Sequence, residues 1–128
     1  MTISCHILAE GSPIIIYASR NGSPQKVLRT LSRFLDTFAQ ERETAGEFVD
    51  TPECLVAQVI IRFGFEICED DFSNLRAGLK YYPDVAYLYQ INKAFHVTVW
   101  EPQAAYRQNP ELGLSACQQC AIIADPAN

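Results

Sequence analysis

The sequence predicts an α+β protein, a two-layer sandwich in which two helices cover one face of a five-stranded, mostly antiparallel sheet, in the order ββααβββ. Three observations predict this class. Residues 74–101 alternate apolar and polar side chains between turn residues, and residues 2–20 resemble a hairpin. Two middle segments repeat apolar residues at helical spacing. Period-two and period-3.6 patterns are typical of half-buried strands and amphipathic helices, respectively.

The first predicted element is the hairpin. Ile3, Cys5 and Ile7 alternate with Ser4 and His6, and residues 10–13 supply the turn. Residues 14–18 are β-branched, aromatic or small, which suits a strand near the centre of the sheet. Gly22 is expected to take a positive φ, and Pro24 suits the first turn of a helix.

Two helices follow in the middle of the chain. The first is predicted from about Pro24 to Gln40, where apolar residues form one stripe. The second is expected to begin at Thr51-Pro52-Glu53, a capping sequence with an acid near the helix N-terminus. We expect Gly64 to end it, because glycine favours the position that follows a helix.

Three strands are predicted next, at residues 74–81, 85–91 and 95–100, separated by Pro83-Asp84 and Asn92-Lys93. Tight turns between alternating segments indicate a β-meander. After Pro102 the periodicity weakens. We therefore expect one α+β domain over residues 1–102 and a loosely docked C-terminal tail over residues 103–128.

Composition narrows the class of protein. The 128 residues are 48% hydrophobic and 20% charged, which is typical of one globular domain. A net charge of −5 argues against nucleic acid as a partner, because phosphate binding needs clustered Lys and Arg. The chain has no transmembrane-length apolar run and its start does not resemble a signal peptide, so we expect a cytoplasmic protein with no membrane partner.

Residues 17–24 read Tyr-Ala-Ser-Arg-Asn-Gly-Ser-Pro. This segment resembles one in a group of small uncharacterised bacterial and phage-associated proteins, where a hairpin ends in Tyr-x-His-x-Asp-Gly-Tyr-Pro and the chain closes in a Tyr-rich hairpin. Residues 85–91 resemble the closing strand of that group. The resemblance spans residues 2–101 and implies a fold but no activity. Ser19 and Asn21 replace the His and Asp of the group, which removes two side chains able to ligate a metal.

One hypothesis for function is a small enzyme. His6 and His96 both lie on predicted strands, and Glu69, Asp70 and Asp71 belong to an acidic cluster. Histidines and carboxylates are the usual general acids and bases. The alternative interpretation is that the histidines are structural and that the acids belong to a solvated connection. The chain has no phosphate-binding glycine motif, and we expect no cofactor.

A second hypothesis is a metal site at Cys117-Gln118-Gln119-Cys120. Two thiolates at this spacing can share a metal or form a redox disulfide. Zinc normally needs four ligands, and no second pair lies nearby in the sequence. The alternative interpretation is that this spacing is incidental and that the pair binds no metal. Cys5 and Cys54 fall on apolar faces, and we expect them in the core.

The third hypothesis is self-association, and it is the one we favour. With both helices on one side of the sheet, the other side is expected to carry Tyr82, Leu88, Trp100 and His96. An exposed aromatic sheet face commonly marks a protein interface. We therefore predict an interaction module that forms a homodimer through this face or through an edge strand. The alternative is that the segment after Pro102 folds back and covers the face.

Overall fold

The computed structural model describes residues 3–45, 51–67 and 75–120. Its helices are α1 (Pro24–Ala45), α2 (Thr51–Ile67), α3 (Ala104–Gln108) and a 3₁₀ segment, Pro110–Ala116. Its strands are β1 (Cys5–Ala9), β2 (Ile15–Ala18), β3 (Leu75–Gly78), β4 (Tyr87–Ile91), β5 (Val97–Pro102) and β6 (Cys117–Cys120). None of the described helices combines the length and the apolar composition needed to cross a lipid bilayer.

The predicted α+β class is confirmed, with differences in the sheet. The described strands form a six-stranded sheet in the order β3-β2-β1-β4-β5-β6 rather than a five-stranded one. The central pair β1–β4 is parallel, and the other four pairs are antiparallel. The sixth strand comes from Cys117–Cys120, where the sequence lacks the long alternating run that identified the other strands.

The predicted meander is wrong in its first link, because β3 pairs with β2 and not with β4. Since β3 and β4 lie on opposite sides of the β2–β1 pair, residues 79–86 must cross the sheet to connect them. Pro83-Asp84 therefore lies in a crossover and not in a hairpin turn. Local alternation identifies a strand but not the strand beside it, which is decided by long-range backbone hydrogen bonds.

One sheet face packs against α1 and α2. Its core includes Ile7, Ile16, Tyr89 and Val99 from the sheet with Val27, Leu31, Leu35, Leu55 and Val59 from the helices. The first helix extends five residues beyond the predicted end at Gln40, to Ala45. The second runs through the predicted stop at Gly64 to Ile67. An interior glycine costs a helix only about 1 kcal/mol, so tertiary packing can override it.

The opposite sheet face, called the far face below, is covered by residues that follow Pro102. Tyr106 of α3 is fully buried and belongs to a second core cluster with Leu8, Ile15, Tyr17, Val85, Leu88 and Ala116. Residues 103–120 thus contribute a helix, a 3₁₀ segment and a strand instead of the expected loosely docked tail. Their packing depends on a few large side chains, which explains why weak periodicity failed to predict it. Residues 121–128 lie outside the described residues.

The turn before α1 shows why glycine is needed at position 22. Asn21 takes the left-handed conformation, with φ of 62°, whereas Gly22 does not, so the expected positive φ falls one residue earlier. A Cβ on Gly22 would lie 2.8 Å from the carbonyl oxygen of Ile3 and 2.9 Å from the Cβ of Cys5. The glycine is therefore required by close packing against the start of β1.

Candidate functional site: the far sheet face

One row of side chains crosses all six strands on the far face. The strand register places Arg76, Tyr17, His6, Leu88, Trp100 and Gln119 side by side. Residues opposite one another in adjacent strands share a face, so the six side chains form a continuous line. The crossover of residues 79–86 passes over the β2–β1 part of this row, where Tyr82 contacts Tyr17 and His6.

His6 lies at the centre of this row and is fully buried. Its Nε2 accepts a hydrogen bond from the backbone N–H of Tyr82 at 2.8 Å. Its Nδ1 lies 3.2 Å from the carbonyl oxygen of Ile16, which can only accept. These two partners fix a neutral imidazole with the proton on Nδ1. Burial lowers the pKa of His6 to about 4, against smaller opposing effects of the Ile16 bond and Asp84.

Side chains hold much of the crossover, which also contains a turn at Pro83-Asp84. Three consecutive carbonyl oxygens accept hydrogen bonds: Tyr82 from the Tyr106 hydroxyl at 2.7 Å, Pro83 from Arg107 Nη1 at 2.7 Å and Asp84 from the Ser4 hydroxyl at 3.1 Å. Irregular backbone over a sheet leaves its polar groups without ladder partners, and each must be satisfied otherwise. Far-face residues and α3 supply those partners.

A stacked aromatic pair covers the β2–β3 end of the row. The rings of Tyr17 and Tyr82 lie 4.2 Å apart and nearly parallel. The exposed guanidinium of Arg76 lies 5.7 Å from the Tyr17 ring centre and 5.9 Å from that of Tyr82. Burial raises the pKa of the Tyr17 hydroxyl. The pKa of His6 is lowered and that of Tyr17 is raised. Both side chains therefore stay neutral near pH 7 and act as structural groups, not as proton donors or acceptors in catalysis.

The four residues predicted to form an exposed sheet-face interface do not share one surface. Leu88 is fully buried beneath the C-terminal segment, and Tyr82 and Trp100 are half-buried in the same cluster. His96 is exposed, in the turn between β4 and β5. The sequence left open whether this face is exposed or is covered by the segment after Pro102. In the structure it is covered.

The residues of the predicted enzyme site are not brought together in the described part of the chain. His6 pairs with Leu88 near the start of β4, whereas His96 follows the turn beyond Ile91 at its end. His6 also has both ring nitrogens engaged by backbone groups. The acidic candidates Glu69, Asp70 and Asp71 lie outside the described residues.

Cys117 and Cys120 lie at the two ends of β6 and face opposite sides of the sheet. Cys117 packs with the far-face cluster, and Cys120 packs with the core beneath the helices. Successive strand residues alternate between faces, so a spacing of three separates the thiols. Burial raises the pKa of Cys117 to about 11 and also raises that of Cys120. Among the described residues, no three His, Cys, Asp or Glu side chains are grouped for a metal.

Sequence reasoning missed a groove at the other end of the far face. It has a volume of about 610 Å³ and lies between the β1–β2 turn, Tyr81 and the 3₁₀ segment. Leu79 and Leu112, which are 73% and 46% exposed, both line it. Leu79 follows β3 and Leu112 lies between Pro110 and Gly113. The sequence gives no sign that these separate segments meet.

Comparison of the chain with protein-family models, with curated proteins and with solved structures gave no match. The family resemblance of residues 17–24 and 85–91 therefore stays a prediction.

Proposed function

We propose that the protein is an interaction module that self-associates through the edge strand β3. The observation that carries the proposal is the exposure of this strand. Arg76, Ala77 and Gly78 are exposed, and β3 has a neighbouring strand on one side only in the described sheet. An edge strand presents a row of backbone N–H and C=O groups to which another chain can pair.

The groove beside β3 adds apolar surface to this edge. The described residues include three exposed large hydrophobic side chains: Ile61, Leu79 and Leu112. Two of the three, Leu79 and Leu112, line the same groove, and Ile15 on its floor pairs with Gly78 of β3. Burying a leucine contributes about 1.5–3 kcal/mol, so contact over this surface reinforces strand pairing.

A second copy of the chain is the occupant that suits this edge. Antiparallel pairing of identical strands is related by a two-fold axis, the commonest symmetry of homodimers. An axis at Ala77 places Arg76 opposite the partner's Gly78 and Leu75 opposite the partner's Leu79, so that like charges do not face one another. The edge lacks proline, which many edge strands carry to block such pairing.

Sedimentation velocity of Gly78→Lys tests this proposal. A Cβ on Gly78 meets nothing within 4 Å and its φ is not positive, so lysine fits the fold. We expect the wild type to approach twice 14.4 kDa and Gly78→Lys to remain monomeric, because edge lysines oppose pairing.

Two matched controls localise the effect. Gly78→Ala fills the same position without charge and is expected to keep the dimer. Gln119→Lys puts the same charge on β6, the opposite edge, and is also expected to keep it. A wild type that is monomeric at every accessible concentration overturns the proposal, as does a dimer that Gln119→Lys dissociates and Gly78→Lys does not.

A further inference from the structure

A second groove is lined by residues of α1 and α2 and shares no lining residue with the groove beside β3. It has a volume of about 480 Å³. From α2, Cys54, Gln58 and Arg62 line it at intervals of four residues. This spacing places side chains on one helix face, so a single stripe of α2 opposes a stripe of α1.

The charge of this groove is opposite to that of the chain. Arg33, Arg42 and Arg62 line it together with one carboxylate, Glu41, so three positive charges minus one negative charge give +2. The whole chain carries −5. Exposed charges of one sign repel across a groove, and a bound anion removes that repulsion. Arginine also offers paired donors that match a carboxylate or phosphate.

The floor of the groove is aromatic. The rings of Phe34 and Phe38 lie 5.6 Å apart, and Phe34 is half-buried. The guanidinium of Arg42 lies 6.0 Å from the centre of the Phe38 ring, and its Nη1 lies 3.8 Å from Cys54 Sγ. Arg42 is thereby held against the floor, whereas Arg33 and Arg62 are exposed at the rim. The groove combines an apolar base with a cationic rim.

We propose that this groove binds an organic anion, with its carboxylate or phosphate held by Arg33 and Arg62 and its flat apolar part against the half-buried Phe34, which packs on the buried ring of Phe38. The volume lies within the range of about 300–1,000 Å³ that is usual for small-molecule sites. Acidity of the whole chain does not oppose this binding strongly, because charges more than about 8–10 Å apart are screened at physiological salt. The proposal is independent of self-association through β3.

Calorimetric titration with three naphthalene compounds tests the site. Naphthyl phosphate and naphthoate share an apolar body and differ in the anionic group, while naphthol has no charge at neutral pH. We expect both anions to bind and naphthol to bind at least tenfold more weakly, because naphthol cannot form charge-assisted hydrogen bonds with the arginines. The preferred anion identifies the natural headgroup as phosphate or carboxylate.

Variants assign the binding to these arginines. Arg33→Gln with Arg62→Gln is expected to weaken anion binding about tenfold or more. The matched control is Lys26→Gln with Arg29→Gln, which makes the same change in net charge on exposed residues of α1 outside the groove. Glu41→Gln removes the opposing carboxylate and is expected to tighten binding. This third variant keeps the test decisive if the double variant fails to fold.

The proposal is overturned if neither anion binds, if naphthol binds as well as the anions, or if the control pair weakens binding as much as the groove pair. Gly78→Lys is expected to leave anion binding unchanged. Failure of self-association and failure of anion binding are therefore separate results.

Discussion

His6 Nε2 accepts the backbone N–H of Tyr82 at 2.8 Å, joining residues that are 76 positions apart in the chain. The bond ties the first strand to the crossover that leads from β3 to β4. A backbone N–H can only donate, so the histidine must stay neutral at this nitrogen. The residue that resembled a catalytic base in the sequence is therefore a structural acceptor.

Replacing His6 with phenylalanine is expected to destabilise the fold by about 2–4 kcal/mol, because it leaves the Tyr82 N–H and the Ile16 carbonyl without their side-chain partner. Urea denaturation measures the free energy of unfolding. His96→Phe is the control, since His96 is exposed, and is expected to change stability by less than about 0.5 kcal/mol. Equal effects of the two variants would show that the buried bond does not hold the crossover.

Stability is expected to fall as pH drops from 6.5 towards 4. The folded pKa of His6 is about 4 and the unfolded value is 6.5, so the unfolded chain binds the proton first. The free energy of unfolding is thus unaffected by this group above pH 6.5, and about 3 kcal/mol is lost below the folded pKa. Denaturation across this window measures the slope, with His6→Phe as the comparison that lacks it. Parallel curves for the two proteins would contradict the low pKa.

Gly22→Ala is expected to destabilise the protein by about 1–3 kcal/mol, because overpacking at a fixed backbone forces neighbours to move. The new Cβ would lie 2.8 Å from the Ile3 carbonyl oxygen. Gly78→Ala is the matched control, since its Cβ meets nothing within 4 Å. Removal of glycine from a strand is expected to be neutral or stabilising there. Thermal unfolding of both variants provides the measurement, and a neutral Gly22→Ala would refute the close contact.

Two substitutions of Tyr106 distinguish the contribution of its hydrogen bond from the contribution of its packing in the C-terminal segment. Tyr106→Phe loses only the hydroxyl that binds the Tyr82 carbonyl, and we expect a loss of about 1–2 kcal/mol. Tyr106→Ala also empties a fully buried site, and we expect a loss of about 3–5 kcal/mol. Chemical denaturation distinguishes the two. If the alanine variant is as stable as the wild type, residues 103–120 do not contribute to the core.

Cys117 is expected to react slowly with iodoacetamide in the folded protein. Its pKa is about 11, compared with an ordinary value of 9.0, so its thiolate population near neutral pH falls about 100-fold. Peptide mass spectrometry compares its labelling rate with that in urea. Added zinc is expected to leave the rate unchanged, because Cys120 lies on the other face. Protection by zinc would indicate a metal site and contradict this arrangement.

Much of the local structure could be predicted from residue patterns. The stripe from Val27 to Phe38 identified the first helix, and the alternation of residues 85–99 identified the two strands that became β4 and β5. These patterns work because burial of one face imposes a fixed period on neighbouring residues. The same reasoning failed at Cys117–Cys120, where four residues are too few to show a period.

The two grooves were harder to predict from the sequence than the helices and strands. Leu79 and Leu112 line one groove although 33 positions separate them in the chain, and Arg33 of α1 and Arg62 of α2 line another. No local pattern in the sequence indicates that a second helix supplies the other wall of this groove. Convergence of this kind depends on how elements pack, which a local pattern does not record.

The sequence by itself determined that this chain alternates its apolar residues as strands and helices, and hence that it forms an α+β protein. Only the tertiary structure decided that β1 and β4 run parallel, that residues 103–120 cover the far face and that His6 anchors a crossover. The physical reason is the range of the interactions. Periodicity reflects burial of neighbouring residues, whereas strand order and side-chain hydrogen bonds join residues brought together only when the whole chain folds.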